Sequence, residues 1–166
     1  MAILGIVLLA SAGVSAAERG AAAGSGSALQ LDALSKLDVG DVAGHELVQS
    51  VGEDELKTPD RIGGVSFEGA KAKVFRQSDL VDGAGMIRGY ATWAAPTGEK
   101  LFVIFGYTVP PFPAGKDSVP FEGTFEWAGG TGSLQKIAGK GTIEGEISRR
   151  GEARYRWAGS YEQATQ

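Results

Sequence analysis

The fold of this chain is decided by the stretch WAGGTGSLQKIAGKGT, residues 127–142. A Gly-Gly-Thr-Gly turn follows an aromatic-rich segment that alternates like a β-strand. Leu134 and Ile137 come next and are typical of buried anchors, and an Ala-Gly-Lys-Gly segment then opens a second alternating run. The stretch therefore predicts two strands joined by a tight turn that is anchored in a hydrophobic core.

The same alternation continues on both sides of this turn. No segment from residue 43 onward keeps a helical period for three turns, and Gly, Asp and Pro punctuate the chain at short intervals. Short, evenly spaced strands are typical of an all-β barrel or sandwich. We predict an all-β, antiparallel barrel of about eight strands over residues 43–162. The candidate strands are 43–51, 63–67, 70–78, 84–95, 99–109, 119–127, 140–149 and 152–162.

The last two candidate strands can be aligned from sequence. The loop between them, residues 149–151, ends in a glycine suited to the left-handed conformation and is a standard hairpin connection. It predicts the cross-strand pairs Glu146–Arg154, Glu144–Arg156 and Ile143–Trp157. A shift by one residue would turn the apolar residues to solvent.

The inward faces combine glycine with large aromatic side chains, an alternation that fills a narrow barrel. Phe121, Phe125 and Trp127 share one face of their strand, with glutamates on the other. Strand 99–109 is apolar on both faces, which predicts a filled interior and a cover or partner outside.

Composition limits the function classes. The chain has 166 residues, 16 basic against 20 acidic side chains, and no basic run longer than Arg149-Arg150. This balance argues against a nucleic-acid partner. The absence of cysteine excludes disulfides, thiolate metal sites and cysteine nucleophiles. The length fits one domain.

The N-terminal region predicts export. Residues 1–16 carry an apolar run followed by Val-Ser-Ala, as in a secretory signal peptide, although no Lys or Arg precedes the run. The alternative is a buried N-terminal strand. Residues 17–42 are expected as a flexible linker, with one or two helical turns where the leucines of 29–37 are spaced helically. We expect a secreted or periplasmic protein with no membrane span in the mature chain.

Two segments resemble a known family. The aromatic strand, Gly-Gly-Thr-Gly turn and Leu-x-x-Ile-Ala-Gly-x-Gly order of residues 127–141 resembles the barrel of allene oxide cyclases and plant dirigent proteins. The closest resemblance is to their exported bacterial relatives of unassigned function. Residues 79–85 and 88–90 look like the mid-barrel segment of those relatives. The resemblance implies an eight-stranded antiparallel barrel with an apolar cavity, often a homo-oligomer. The plant enzymes cyclise or couple reactive intermediates; none of their functional residues is carried over.

No catalytic, metal or cofactor motif is present. His45 is the only histidine, without a nucleophile elbow or other ligands near it in sequence, so a structural or surface role is expected. Gly139-Lys140-Gly141-Thr142 lacks the Walker spacing, and the 129–132 turn lacks the third dinucleotide-binding glycine. Glu144 and Glu146 share one strand face, but their arginine neighbours favour a solvated surface over a glycosidase pair.

Arg88 and Tyr90 are polar side chains that could face either the lumen or solvent. Both lie on one face of strand 84–95, opposite Ile87 and Trp93, and Arg76 holds a similar position on its strand. If such an arginine entered the lumen it would need a partner, and it would suit an acidic amphiphile. The alternative is that Arg88 faces solvent.

The function expected is an exported, non-catalytic barrel that binds a small apolar or amphipathic ligand. Phe121, Phe125, Tyr155 and Trp157 would wall the site, with Arg88 and Tyr90 as polar anchors; no metal or cofactor is expected. One alternative is a cofactor-free isomerase or cyclase that acts by cavity shape. Another is a structural or interaction module with a filled barrel.

Overall fold

A computed structural model describes residues 17–28, 32–57 and 61–164. Most of these residues lie in β-strands, and the helical structure among them is a short 3-10 helix, Gly132–Lys136. The strands are β1 Ala17–Ala28, β2 Asp32–Asp38, β3 His45–Lys57, β4 Arg61–Ile62, β5 Val65–Ser66, β6 Lys71–Val81, β7 Ala84–Ala94, β8 Lys100–Val109, β9 Ser118–Gly130, β10 Ile137–Ser148 and β11 Ala153–Ala164. The expected signal peptide, residues 1–16, lies outside the described residues.

Eight of the strands close into an antiparallel ring. Their order is β1-β11-β10-β9-β8-β7-β6-β3, and residues 54–57 of β3 pair with residues 25–28 of β1 to complete it. β2 extends from the ring and pairs with the first half of β3. β4 and β5 form a separate small hairpin. The all-β, barrel-like fold expected from the sequence is confirmed.

Two segment assignments were wrong. Residues 17–42 were expected as a linker with a little helix, but they contain β1, a full member of the ring, and β2. Residues 63–67 were expected as a strand of the barrel, but only Val65–Ser66 is a strand there, paired with β4 outside the ring. The eighth strand of the ring therefore comes from the N-terminal segment.

β1 is made of small residues because aromatic side chains of β11 lie across it. Gly24 is the cross-strand partner of Trp157, and Gly26 is the partner of Tyr155. A Cβ on Gly24 would lie 2.6 Å from Trp157 Cζ2, closer than any real side chain allows. The composition that resembles a flexible linker is thus a packing requirement of the closed ring.

The predicted β10–β11 register is confirmed. Ile143 pairs with Trp157, Glu144 with Arg156, and Glu146 with Arg154, and Gly151 has the expected left-handed φ of 82°. Arg156 Nη2 lies 3.0 Å from Glu144 Oε1, with both side chains mostly exposed. These glutamates therefore belong to a solvated outer face.

One end of the ring is closed by apolar side chains. Ile62 and Phe67, from the segment between β3 and β6, pack there in one core cluster with Leu134 of the 3-10 helix and Ile137. Leu134 is fully buried and Ile137 is 2% exposed, so both predicted anchors are confirmed. The turns β6–β7, β8–β9 and β10–β11 surround an open cavity at the opposite end, which we call the mouth.

The chain covers β8 on its inner face only, and the cover or partner expected on the outer face stays a prediction. Leu101, Val103 and Tyr107 point inward and are at most 5% exposed. Phe102 and Ile104 point outward and are each 38% exposed. The chain itself thus supplies a filled interior for this strand but no outer cover among its described residues.

Candidate functional site

A layer of polar side chains lies inside the ring. Arg76 of β6 and Asp54 of β3 form an ion pair, with Nη2 3.5 Å from Oδ1 and side chains only 4% and 5% exposed. The Tyr155 hydroxyl of β11 donates a 2.8 Å hydrogen bond to Asp54 Oδ2. Since buried charges are costly unless they are paired, this arrangement is the most unusual one in the lumen.

Strand alternation carries these side chains inward. Arg76 follows Ala72 and Val74 on the inner face of β6, and its cross-strand partner on β3 is Ser50, which is 6% exposed. Asp54 lies four residues further along the same face of β3. The long Arg76 side chain extends from its position beside Ser50 to the Asp54 carboxylate.

The environment of the layer changes its acid–base chemistry. Burial raises the pKa of Asp54 above its ordinary value, although the Arg76 charge and the Tyr155 hydrogen bond both lower it. Burial and the neighbouring Asp54 charge raise the pKa of Tyr155, which therefore stays a protonated donor at neutral pH. Asp54 Oδ1 and Arg76 Nε lack a hydrogen-bond partner among the described residues.

Two cavities meet at Arg76. On the closed side is an internal void of about 40 Å³, and on the other is the mouth cavity of about 1090 Å³. The void has room for a few water molecules, since one water needs about 10–15 Å³ by the same measure. The mouth cavity matches the upper range of small-molecule sites, about 300–1,000 Å³. Arg76 lines both cavities.

Four predicted site residues are brought together. Phe121, Phe125, Tyr155 and Trp157 all line the internal void, as the shared inward faces had suggested. The void is too small for an organic ligand, because the rings pack on one another; Phe125 and Trp157 have ring centroids 6.0 Å apart. A ligand role for these side chains stays a prediction, and the open space lies beyond them at the mouth.

The other two predicted site residues do not enter the lumen. Arg88 is exposed and its Nε donates to Met86 Sδ at 3.1 Å, while Tyr90 is 61% exposed on the same outer face. The opposite face of β7 carries the buried residues Ile87 and Ala91, and Phe105 fills the space beside Gly89 on that face. A Cβ on Gly89 would lie 2.5 Å from Phe105 Cζ. The alternative, that Arg88 faces solvent, is confirmed, and the assignment of Arg88 and Tyr90 as lumen anchors was wrong. Arg76 enters the lumen instead.

Sequence reasoning missed Asp54 entirely. The predicted strand ended at residue 51, whereas β3 continues to Lys57. The available signal was strand alternation: Asp54 lies on the same face as Ser50 and Leu56, so an acidic residue occupies a position where a buried side chain is expected. Its partner Tyr155 is 101 residues away in sequence, so the contact itself left no local trace.

His45 forms a second polar cluster, between the β2–β3 loop and β6. Its Nδ1 lies 2.6 Å from Asp41 Oδ1 and its Nε2 lies 2.8 Å from Asp79 Oδ1, with the side chain 17% exposed. These hydrogen bonds raise the pKa of His45, with the Asp79 bond the larger cause. The cluster links the β2–β3 loop to β6, in keeping with the expected structural role.

Comparisons with protein-family models and with curated proteins find no match to this chain. No helix in the described ranges is long and apolar enough to cross a membrane. Within those same ranges, no group of three or more His, Asp or Glu side chains is arranged to hold a metal ion.

Proposed function

We propose that this is an exported protein that binds a small amphipathic ligand in the mouth of its β-ring. One observation carries the proposal: a buried cation, Arg76, lies at the inner end of a large open cavity. The walls between Arg76 and the rim are mixed, and their apolar side chains include Leu80, Ile87, Val109 and Ile147. Such a cavity suits a molecule with an apolar body and one polar group.

The ligand would lie with its polar group inward. Apolar surface buried against these walls contributes about 25 cal/mol per Å², and the polar group would meet Ser50, Ser78 and Arg76 at the inner end. The ligand would not enter the internal void beyond Arg76, because the volume of that void is only about 40 Å³. The ligand that we propose therefore lies in the mouth.

A cavity-filling variant tests this placement. Ser78 is half-buried and lines the mouth, whereas its neighbour Gln77 is exposed on the outer face of β6. We expect calorimetry to detect one-to-one binding of at least one of decanoic acid, decanol and decylamine. Ser78→Trp should abolish that binding, and the matched control Gln77→Trp should preserve it. Absence of binding by all three compounds, or equal loss in both variants, contradicts the proposal.

A cofactor-free isomerase is the second candidate, and the buried Asp54–Tyr155 hydrogen bond favours it. Asp54 lines the internal void and not the mouth, so this reaction would require the reacting part of the ligand to pass Arg76 and enter the void. There a carboxyl group with a raised pKa beside a fixed donor would be suited to moving a proton on the ligand. Incubation with 3-decenoic acid in D₂O tests this role by mass spectrometry. Deuterium uptake that Asp54→Asn abolishes would support an enzyme, and no uptake in the native protein would exclude this reaction.

A further inference from the structure

We propose that β2 pairs edge to edge with β2 of a second copy of this chain, so that one sheet runs through two rings. The inference goes beyond the proposed function, because it concerns the outer edge of a strand and not the mouth cavity. It is carried by the sequence Lys36-Leu37-Asp38 and by the register of β2 on β3. β2 ends the sheet order, and β3 is its only neighbouring strand among the described residues.

The backbone along the outer edge of β2 is available for a further strand. All seven residues of β2 are exposed. The Val39 N–H donates a 3.0 Å hydrogen bond to the His45 carbonyl of β3. Because hydrogen-bonded and non-hydrogen-bonded pairs alternate along antiparallel strands, the backbone groups of Leu37 face β3, whereas those of Lys36 and Asp38 face away from it. Outward groups of this kind are a template for strand pairing.

The charges on β2 call for a cation from outside the chain. Asp38 lies directly opposite Glu46 of β3, and like charges in that position repel each other. Lys36 serves Glu46, with Nζ 2.6 Å from Oε1. Asp38 makes no ion pair within the described ranges, although its Oδ1 accepts a 2.9 Å hydrogen bond from the Gly40 N–H. A second lysine beside Asp38 would offset the repulsion from Glu46.

One register of two β2 strands supplies that lysine. When Leu37 lies opposite Leu37 of the second copy, Lys36 of each chain lies opposite Asp38 of the other. Lys36 and Asp38 then form the hydrogen-bonded pairs, as their outward backbone groups require. Pairing centred on Lys36 or on Asp38 would instead place like charges opposite each other.

The same register buries leucines on the other face of the sheet. Leu37 is 61% exposed and its cross-strand partner Leu47 is 41% exposed. In the pair of chains these two leucines and their equivalents in the second copy form one row across four strands. Apolar contact and charge complementarity therefore favour the same register, and the occupant that fits the edge is β2 itself.

Charge reversal with rescue by mixing tests the inference. In Lys36→Asp both cross-chain pairs become acid against acid, and in Asp38→Lys both become lysine against lysine. Sedimentation equilibrium should show a monomer–dimer equilibrium for the native chain and a dimer about tenfold or more weaker for each variant alone. An equimolar mixture of the two variants has two opposite-charge pairs and should dimerise about as well as the native chain. The control Lys73→Asp, at an exposed position of β6, should leave dimerisation unchanged.

Amide hydrogen exchange locates the contact. The Lys36 and Asp38 amides should become protected as protein concentration rises, whereas the Leu37 amide, which faces β3, should not change. A native chain that stays monomeric at about 1 mM, the weak end of specific association, overturns the inference. So does a dimer that both single variants retain, or a mixture that restores nothing. Protection of these amides in a monomer by a heptapeptide of alternating valine and lysine would assign the edge to a different protein and would also overturn it.

Discussion

Replacing the acid and replacing the base of the buried Asp54–Arg76 ion pair should lower the free energy of unfolding by unequal amounts. Asp54 and Arg76 are 5% and 4% exposed, and at 3.5 Å their attraction is roughly 5 kcal/mol at an effective dielectric constant of about 20. Asp54→Asn leaves a buried guanidinium that has no way to lose its charge, so we expect a loss of about 3–5 kcal/mol in unfolding free energy. Arg76→Met leaves a carboxyl group that can take up a proton, so at pH 5 the loss should stay below about 2 kcal/mol.

The Arg76→Met variant should also acquire a pH dependence with a definite sign. Burial raises the pKa of Asp54, and removal of the arginine removes the main opposing effect. An acid whose pKa is raised on folding is fully tolerated below its unfolded pKa of about 3.9. Above that value the variant should lose about 1.4 kcal/mol per pH unit until the folded pKa is reached.

Urea unfolding of both variants at pH 5 and pH 8, followed by near-ultraviolet circular dichroism, measures these differences. Arg88→Met is the control for loss of an arginine and should stay within about 0.5 kcal/mol of the native protein, because Arg88 is exposed. Equal losses for Asp54→Asn and Arg76→Met at pH 5, unchanged at pH 8, would refute the reasoning.

The remaining predictions concern packing, pH and processing. Trp157→Ala should lower the free energy of unfolding by about 3–5 kcal/mol, because Trp157 is 4% exposed in the core. Arg154→Ala, on the outer face, should lower it by less than about 1 kcal/mol. Similar values for the two variants in urea unfolding would contradict the register. Hydrogen bonds raise the pKa of His45, so the stabilisation from its contacts with Asp41 and Asp79 should be complete below about pH 6.5 and be lost as pH rises through the folded-state pKa. A His45→Gln variant whose free energy of unfolding still falls over that pH range would show that His45 is not the titrating group. N-terminal sequencing of exported protein should begin near Ala17, and retention of Met1 would contradict signal cleavage.

Local sequence patterns were sufficient to predict strand pairing where the two strands lie close together in the sequence. The β10–β11 pairs followed from one loop and one alternation, since a slip of one residue would expose Ile143 and Trp157. β1 had no such signal. Its glycines and alanines are needed because rings of β11 occupy the space above them, and a flexible linker has the same composition. The partner that distinguishes the two readings lies more than a hundred residues away.

The polar layer was hidden for a related reason. Arg76 and Arg88 both alternate with apolar or small residues, so the sequence does not say which of the two enters the lumen. In the folded ring Phe105 fills the space beside Gly89 on the inner face of β7, and Arg88 lies on the opposite face. Asp54 meets Arg76 and Tyr155 only when the ring closes, and this is contact information that no single strand contains.

The central claim is that a ligand enters the mouth and contacts Arg76. The most direct measurement is the ¹H–¹⁵N resonance of the Arg76 Nε–H group, assigned by its loss in Arg76→Met, during titration with decanoic acid. We predict a saturable shift of this resonance together with the backbone amides of Ser50 and Ser78, and no shift at Arg88. Shifts confined to the outer face around Arg88, or none at Arg76 at saturating acid, would contradict the account.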